Sequence, residues 1–264
     1  MAWIEADAIF DPDTMAMPII GISSELVKHN SGEHQHNKGQ LLFAQQGSMR
    51  VVIDQKLSVI PPQKVVWLPP NQPHCVFFTE VVGYRSIYID TEVFPHLPKE
   101  PATWSCSPLL KCILEEIAQS DWAMDWQLPS RGAHWLLVLW DELKLADREE
   151  HYLELPKDYR LQKFDLLTYA PPLSELAKHI GASERTITRI FLKETGLNYQ
   201  SWRQQWRLFR AIELLSEQRS MMDIALALGF ANDSAFSTFF KNMTGSSPTN
   251  YSSVDKSQTE QEYR

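Results

Sequence analysis

Cysteine and long apolar segments are scarce in this sequence, and both scarcities exclude classes of protein. The 264 residues include three cysteines (Cys75, Cys106 and Cys112), and no two of them form a CxxC pair. An odd, sparse set argues against a disulfide framework and favours a reducing cytosol. The longest apolar run, near Trp135–Trp140, is too short to span a bilayer. Because the acidic N-terminus also lacks the pattern of a secretory signal, we expect a soluble cytoplasmic protein without a membrane partner.

The common catalytic signatures are missing as well. No GxSxG, GxxxxGKS/T, GxGxxG or HExxH motif occurs. The corresponding esterase, nucleotide-hydrolysis, dinucleotide and zinc-protease chemistries therefore have no support in the sequence. We predict that the protein is not an enzyme and that its function requires no cofactor.

Positive charge is in deficit, but the deficit is confined to one half of the chain. The net charge is −8. Residues 1–159 carry 12 Lys and Arg against 22 Asp and Glu, a balance of −10, whereas residues 160–264 carry 13 against 11, a balance of +2. DNA affinity depends on local neutralisation of phosphates, so the second half remains compatible with DNA binding.

Short stretches with β character fill the first hundred residues. They are rich in Val, Ile, Phe and Tyr and are separated by Gly, Pro and Asn, which are turn residues. We predict strands at Leu41–Ala44, Met49–Ile53, Val65–Leu68 and Tyr84–Ile89. Many short strands at close spacing are typical of a small barrel or sandwich, so residues 1–100 are predicted to form a β-barrel domain.

The pattern becomes helical after Pro101. Apolar residues recur at helical spacing in Pro108–Ser120 and in Gly132–Leu145. These helices make residues 101–150 a helical appendage, which could pack on its own barrel or pair with a second subunit in a homodimer. The remaining regions are predicted to be a linker (151–159), an all-α domain (160–251) and a disordered polar tail (252–264).

An internal repeat is the most specific feature of the second half. Leu176-Ala177 stands five and four residues before Gly181, and Ile224-Ala225 stands at the same distances before Gly229. An apolar triplet and a Thr-Gly pair follow each glycine: Ile187, Ile190, Phe191 and Thr195-Gly196 in the first copy, and Phe236, Phe239, Phe240 and Thr244-Gly245 in the second.

The repeat predicts two helix-turn-helix units. A short first helix (Leu173–His179, then Met222–Leu228) ends at a glycine, which tolerates a left-handed backbone. A short turn then allows a second helix to cross the first. Good N-caps for that second helix are Ser183 in the first unit and Asn232 or Asp233 in the second.

The outer faces of the second helices are predicted to contact DNA. If Ile187 points inward, Arg185 and Arg189 point roughly 160° away, at about 100° per residue, and Thr188 flanks them. Two arginines one turn apart suit guanine O6 and N7 or phosphates. The equivalent residues of the second unit are short and uncharged and suit phosphates and thymine methyl groups: Ser234, Ser237 and Thr238.

One long helix from about Tyr199 to Glu217 is predicted to join the two units. Its buried side carries Trp202, Trp206, Phe209 and Ile212. Arg203, Arg207 and Arg210 lie within about 60° of each other on a different face, and we predict that Arg203 and Arg207 contact DNA. A rigid connector would hold two recognition helices about one duplex turn, ~34 Å, apart.

These motifs resemble the DNA-binding domain of the AraC/XylS family of bacterial regulators. The resemblance rests on Gly181–Gly196 (GASERTITRIFLKETG), on the connecting WRQQWRLFRAIELL and on Ala225–Tyr251. It implies a transcription activator that binds double-stranded promoter DNA and contacts RNA polymerase. It also implies base-contacting positions on both recognition helices: Arg185, Thr188 and Arg189 on the first, and Ser234, Ser237 and Thr238 on the second. Many members of the family have an arginine at the position of Thr238.

Four residues of the N-terminal half resemble the metal-binding motifs of cupins: His34, His36, Gln40 and His74. Alternate residues on a strand share a face, so His34 and His36 can converge, and a hairpin could bring His74 to them. Three imidazoles could hold a divalent Zn, Fe, Ni or Cu ion, although Gln40 stands where metal-binding cupins have a glutamate. Two interpretations remain open, a metal site and a ligand pocket lined by histidines.

The stretch that contains these histidines is also similar to the sensor domain of a cupin-bearing AraC subgroup, which implies a small-molecule effector. The sequence therefore predicts a multidomain α+β protein with an N-terminal cupin-like β-barrel, appended helices and a C-terminal all-α double helix-turn-helix domain. Its predicted function is ligand-responsive, sequence-specific regulation of transcription. A metal-dependent cupin enzyme and an adaptor that docks a partner helix are the alternatives.

Overall fold

The computed structural model describes residues 10–149 and 151–251, and the chain forms two compact units. The first unit comprises residues 1–53 and 60–151, and the second comprises residues 54–59 and 152–264. The second unit therefore includes a short segment from the middle of the N-terminal half, which the predicted domain boundaries did not anticipate. The polar tail predicted for residues 252–264 lies outside the described residues.

The described residues form nine strands and seven α-helices. The strands are β1 (Ile19–Asn30), β2 (Gly39–Ala44), β3 (Met49–Ile53), β4 (Lys56–Ile60), β5 (Lys64–Leu68), β6 (His74–Ile89), β7 (Ala102–Ser105), β8 (Arg148–Glu149) and β9 (Leu153–Glu154). The helices are α1 (Pro108–Ala118), α2 (Arg131–Leu145), α3 (Leu173–Ile180), α4 (Glu184–Thr195), α5 (Tyr199–Ser216), α6 (Met221–Ala227) and α7 (Asp233–Thr244).

The long strand β6 organises the sheet of the first unit. It pairs antiparallel with β1 on one side, from Ile19 opposite Ile89 to Asn30 opposite Phe77. On its other side, its C-terminal half pairs with β2 and its N-terminal half pairs with β3. The sheet continues from β2 through β5 and β7 to β8. The unit is a curled antiparallel sheet of the predicted cupin-like kind, and it is open at β8, which has β7 as its one partner among the described strands.

The sequence pattern located β2, β3 and β5 but missed β1, β4, β7 and the first half of β6. The first six residues of β1 are all buried, so this strand lacks the alternation that identifies a half-buried strand. Strand β6 begins at His74, well before the predicted start at Tyr84, because its first residues pair with β3.

Helices α1 and α2 pack on this sheet. The hydroxyl oxygens of Ser107 and Ser130 cap their N-termini by accepting hydrogen bonds from backbone amides. Their apolar stripes form one buried cluster with sheet residues, and the helix members are Leu110, Ile113, Leu114, Ile117, Leu136, Leu139 and Leu143. These stripes thus cover the protein's own sheet, as one of the two alternatives predicted. Region 101–150 is not a purely helical appendage, since it also supplies β7 and β8.

The segment predicted as a linker is an ordered part of the second unit. Strand β9 pairs antiparallel with β4, with Leu153 opposite Leu57, and Leu153 is 1% exposed. The backbone amides of Lys157 and Asp158 both donate to Glu194 Oε2, at 2.7 and 2.9 Å. The prediction of a plain linker is therefore wrong for these residues. The segment is ordered by partners that are distant in sequence, which a local sequence pattern does not show.

Residues 160–172 form turns and irregular backbone, where the sequence had predicted helix throughout. Helix α5 fixes this segment through side chains that donate to its backbone carbonyls. The Tyr199 hydroxyl donates to Pro171 O at 2.6 Å, and the Trp206 indole donates to Leu166 O at 2.9 Å. Buried backbone carbonyls without such partners would destabilise an irregular segment, so α5 replaces the bonds that a helix would have made within itself.

Both helix-turn-helix units form where the repeat predicts them. Gly181 follows α3 with φ 66°, and Gly229 follows α6 with φ 71°, both in the left-handed region. Ser183 caps α4, and Asn232 rather than Asp233 caps α7. In the first helix-turn-helix, Phe191 of α4 contacts Trp202 of α5, with ring centroids 5.1 Å apart. In the second helix-turn-helix, α6 and α7 share one apolar cluster with α5. None of the described helices is both long enough and apolar enough to cross a bilayer.

Candidate DNA-binding face and histidine centre

Helix α4 presents its predicted contact residues on the side opposite its buried stripe. Ile187, Ile190 and Phe191 are buried and hold the helix down. Arg185 and Arg189 are exposed, while Thr188 is half-buried between them and the stripe. The two guanidinium groups therefore lie on the accessible face of the helix, where they can reach base edges or phosphates.

Helix α7 presents a different chemistry at the equivalent positions. Ser234 and Thr238 are exposed and Ser237 is half-buried. The Thr238 hydroxyl donates to the Ser234 carbonyl one turn earlier, at 2.9 Å. Because this hydroxyl proton is used within the helix, the side chain offers a base the acceptor lone pairs of its oxygen and, on its apolar side, its methyl group. A thymine methyl is the base group that suits it.

Arg207, which the sequence placed on the DNA-binding face, lies inside the second unit. Its side chain is buried, and its Nε donates to Leu228 O at 2.9 Å. Nη2 of the same guanidinium also donates to Leu228 O, and the group lies over the Phe230 ring at 3.9 Å from the centroid. Burial lowers the pKa of Arg207 to about 10. The prediction of a DNA contact is therefore wrong for Arg207, which joins α5 to the end of α6.

The other arginines of α5 also have partners within the unit. Arg203 is half-buried, and its Nε donates to Ala170 O at 2.8 Å. Arg210 forms ion pairs with Glu213 at 2.9 Å and Glu217 at 3.7 Å. The arginine face of α5 thus braces the unit itself, and a DNA contact through the outer nitrogens of Arg203 stays a prediction.

The backbone of the first unit brings the three predicted histidines together. His34 and His74 form an antiparallel bridge, with each backbone amide donating to the other carbonyl at 3.0 and 2.9 Å. His36 follows His34 by two residues, and its ring centroid lies 5.2 Å from that of His74. One ligand atom from each histidine lies within 4.8 Å of the others. His36 and His74 are buried and His34 is exposed.

The hydrogen bonds of these rings define which nitrogen faces the cluster. Each Nδ1 lies against a backbone carbonyl, Gly32 O for His34 at 3.1 Å, Lys38 O for His36 and Gln72 O for His74 at 2.8 Å. Neutral rings of His34 and His74 that donate from Nδ1 carry their lone pairs on Nε2. His36 has an oxygen acceptor at each nitrogen, so its neutral ring donates to one of the two. This arrangement, with carbonyls behind each ring, is the one that orients metal-binding histidines in proteins.

Burial keeps the inner rings neutral. Burial lowers the pKa of His74 to about 4 and also lowers the pKa of His36. The Nε2 atom of His74 is buried and has no hydrogen-bond partner within the described part of the chain. A buried lone pair without a partner destabilises a folded protein. A divalent cation shared with His34 and His36 would satisfy it, so the residues present fit a metal ion.

Gln40 occupies the fourth position of the cluster. Its Oε1 lies 3.2 Å from His36 Nε2, and its amide nitrogen lies 2.8 Å from Ser86 Oγ, 3.3 Å from the Tyr88 hydroxyl and 3.4 Å from the Tyr84 hydroxyl. Gln40 is 1% exposed. It therefore turns an oxygen, not a proton, toward the histidines.

The sequence analysis missed the three hydroxyl groups behind Gln40. Tyr84, Ser86 and Tyr88 alternate along β6, and Tyr88 lies opposite Gln40 in the register of β2 with β6. Burial raises the pKa of both phenols, so they stay protonated at neutral pH. The alternation of three hydroxyl residues in one strand is visible in the sequence, but only the strand register brings them to Gln40.

The two sites together define a class of protein. A unit with a duplicated helix-turn-helix and exposed arginines is suited to duplex DNA, and a curled sheet with a polar centre is suited to a small ligand. These features are those of a two-domain, ligand-responsive transcriptional regulator.

Comparison with known proteins identifies the family. Residues 17–152 match the model of the AraC-like ligand binding domain, and residues 176–253 match that of a helix-turn-helix domain. The first match covers more than half of the chain. The chain therefore belongs to the AraC family of DNA-binding transcriptional regulators, as the sequence motifs predicted.

Individual relatives span both domains. The HTH-type transcriptional regulator NimR of Escherichia coli (strain K12) is 28% identical over 223 residues, which cover 83% of this chain and 81% of NimR. The virulence regulon transcriptional activator VirF of Yersinia enterocolitica is 24% identical over 230 residues, which cover 84% of this chain and 83% of VirF. A crystal structure of unsaturated fatty acid bound ToxT from Vibrio cholerae strain SCE256 aligns with 89% of this chain and 94% of ToxT, with 16% identity and a TM-score of 0.38.

Proposed function

We propose that this protein is a cytoplasmic transcription activator that binds promoter DNA with helices α4 and α7 and contacts RNA polymerase. The observation that carries the proposal is the exposed arginine pair of α4, Arg185 and Arg189, in a unit that contains two helix-turn-helix copies. Activation is supported by the similarity to VirF, which is named as an activator. Binding of a small effector in the first unit would alter promoter occupancy.

Selection of DNA by the full-length protein from a random pool, followed by transcription from the selected site, tests this function. We expect the selected duplex to bind with high affinity and to support activation in a reconstituted reaction with RNA polymerase. Lys99→Ala serves as the control for Arg185→Ala and Arg189→Ala, because Lys99 is exposed in the first unit outside α1 and α2. A folded protein that selects no duplex at low salt would contradict the proposal.

Helices α1 and α2 are proposed to mediate a homodimer. Although their inner stripes are buried, α2 leaves Leu137 50% exposed and Leu145 80% exposed, and α1 leaves Leu109 53% exposed. Sedimentation of wild type and of Leu137→Lys should show a dimer that the substitution weakens. Val27→Lys is the control, since Val27 is 67% exposed on β1 and not on either helix. A monomer at all concentrations would contradict this part of the proposal.

The histidine centre is proposed to bind one divalent transition-metal ion through the Nε2 atoms of His34, His36 and His74. Support comes from the three backbone carbonyls that hold Nδ1 of each ring and from the unpartnered Nε2 of His74 among the described residues. Imidazole ligands suit Zn, Fe, Ni and Cu. Elemental analysis of the purified protein should find about one metal per chain, lost in His74→Gln. If neither purified nor metal-reconstituted protein retains an ion, the cluster is a hydrogen-bonded part of the sheet.

A further inference from the structure

We infer that the histidine centre, once loaded with a divalent metal, takes a small carboxylate anion as its fourth partner, and that Gln40 imposes this requirement. The inference rests on the proposed metal site and adds the chemical class of the effector. It follows from the charge of the donor set, from the exposure of one side of the cluster and from the hydroxyl groups behind Gln40.

The donor set around the cluster is electrically neutral. A histidine binds a metal as a neutral imidazole, and Gln40 contributes an uncharged amide oxygen 3.2 Å from His36 Nε2. The three histidines are the one cluster of this kind among the described His, Cys, Asp and Glu residues, so no carboxylate belongs to it. A divalent ion held by these groups would keep its full double charge in a site that is mostly closed to water. Buried charge without compensation is strongly unfavourable.

An anion from solution can reach the cluster from one side. His34 is exposed, whereas His36 is 5% exposed and His74 is 1% exposed. Solvent therefore meets the cluster at His34, and the buried side is closed by Gln40 and the strand behind it. A carboxylate entering there would supply both a ligand oxygen and the missing negative charge.

The hydroxyl groups of β6 hold Gln40 with its oxygen toward the histidines. Ser86 Oγ, the Tyr88 hydroxyl and the Tyr84 hydroxyl lie within 3.4 Å of the Gln40 amide nitrogen. They accept from the amide nitrogen of Gln40 on its side away from the histidines, so Gln40 keeps an uncharged oxygen toward the cluster and leaves the charge to an anion.

The test measures the affinity of the full-length protein for Zn²⁺ with a competing chromophoric chelator, in a non-coordinating, chloride-free buffer with increasing acetate. We expect the apparent Zn²⁺ affinity of wild type to rise with the acetate concentration. Once that concentration exceeds the dissociation constant of acetate for the Zn²⁺-loaded protein, each tenfold increase in acetate should raise the Zn²⁺ affinity about tenfold. The Co²⁺-loaded protein should show a saturable change in its visible absorption spectrum over the same range of acetate.

Gln40→Glu is the matched variant, because it places the missing charge inside the cluster. In this variant the Zn²⁺ affinity without acetate should exceed that of wild type at least tenfold, and acetate should have little effect. Wild-type protein that binds Zn²⁺ stoichiometrically but whose affinity and Co²⁺ spectrum ignore acetate would overturn the inference while the metal site stands. A spectrum that responds only to pH would also overturn it, since hydroxide would then supply the charge. Wild type that binds no metal would overturn both.

Discussion

The guanidinium of Arg207 lies 3.9 Å from the ring centroid of Phe230, and this contact joins the connecting helix α5 to the turn of the second helix-turn-helix. The same group donates from two nitrogens to Leu228 O, the carbonyl at the end of α6. An arginine in this position satisfies a backbone acceptor and covers an aromatic ring, so its function is to hold α6 and α7 in place.

Replacing Arg207 should therefore destabilise the fold. We expect Arg207→Ala to lower the free energy of unfolding by about 2–3 kcal/mol, since it removes charged hydrogen bonds and leaves a buried carbonyl unpaired. Chemical denaturation of the full-length protein measures this, with Arg185→Ala as an exposed control that should change the value by less than about 0.5 kcal/mol. A normal stability together with a salt slope of DNA binding reduced by about one would return Arg207 to the DNA-contacting set.

Arg189 should specify bases. Arg189→Ala is expected to weaken binding to the selected duplex by about 1–3 kcal/mol and to relax base choice at one position, because the side chain is exposed on the outer face of α4. Binding assays on duplexes substituted at each position measure both effects. An equal loss on every sequence would instead identify Arg189 as a phosphate contact.

Thr238 should recognise a thymine methyl group. Its hydroxyl donates to the Ser234 carbonyl, so we expect Thr238→Val to bind nearly as well as wild type. Thr238→Ser should lose about 1 kcal/mol, roughly fivefold in Kd, through the missing methyl group. The difference between Thr and Ser should vanish on a duplex in which the contacted thymine is replaced by uracil. A hydrogen-bonding role would give the opposite order, with Ser retained and Val impaired.

The buried His74 should make the metal-free protein sensitive to acid. Its pKa is lowered by burial from the ordinary 6.5 to about 4, so between these values the unfolded chain binds the proton and the folded chain does not. The stabilisation is complete above about pH 6.5 and is lost as the pH falls to about 4, by about 3 kcal/mol in total. Denaturation of metal-free wild type and His74→Gln between pH 7 and 4.5 measures this, and equal pH slopes for the two proteins would contradict the assignment.

The parts of the fold that depend on local patterns could be predicted from the sequence. The glycines that end α3 and α6 and the apolar triplets of α4 and α7 located both helix-turn-helix units within a residue or two. The histidine cluster could be predicted because His34 and His36 alternate on one side of the chain. In each case, residues close in sequence carry the information.

The parts of the fold that depend on distant partners could not be predicted from the sequence. The angle of Arg207 around α5 is correct in a helical projection, but the projection does not show that Leu228 and Phe230 pack on that side. Strand β9 and the segment 160–172 show no periodic sequence pattern. Their order comes from contacts with β4 and α5. The hydroxyls around Gln40 likewise depend on the strand register.

The most direct test of the account is a hydroxyl-radical footprint of the full-length protein on its selected duplex. We predict two protected patches on one face of the DNA, about one helical turn apart. Arg185→Ala and Arg189→Ala together should weaken the patch assigned to α4, while Lys99→Ala should leave both intact. A single patch that persists in the double variant, or no protection by folded protein at low ionic strength, would contradict the claim that α4 and α7 bind the same duplex.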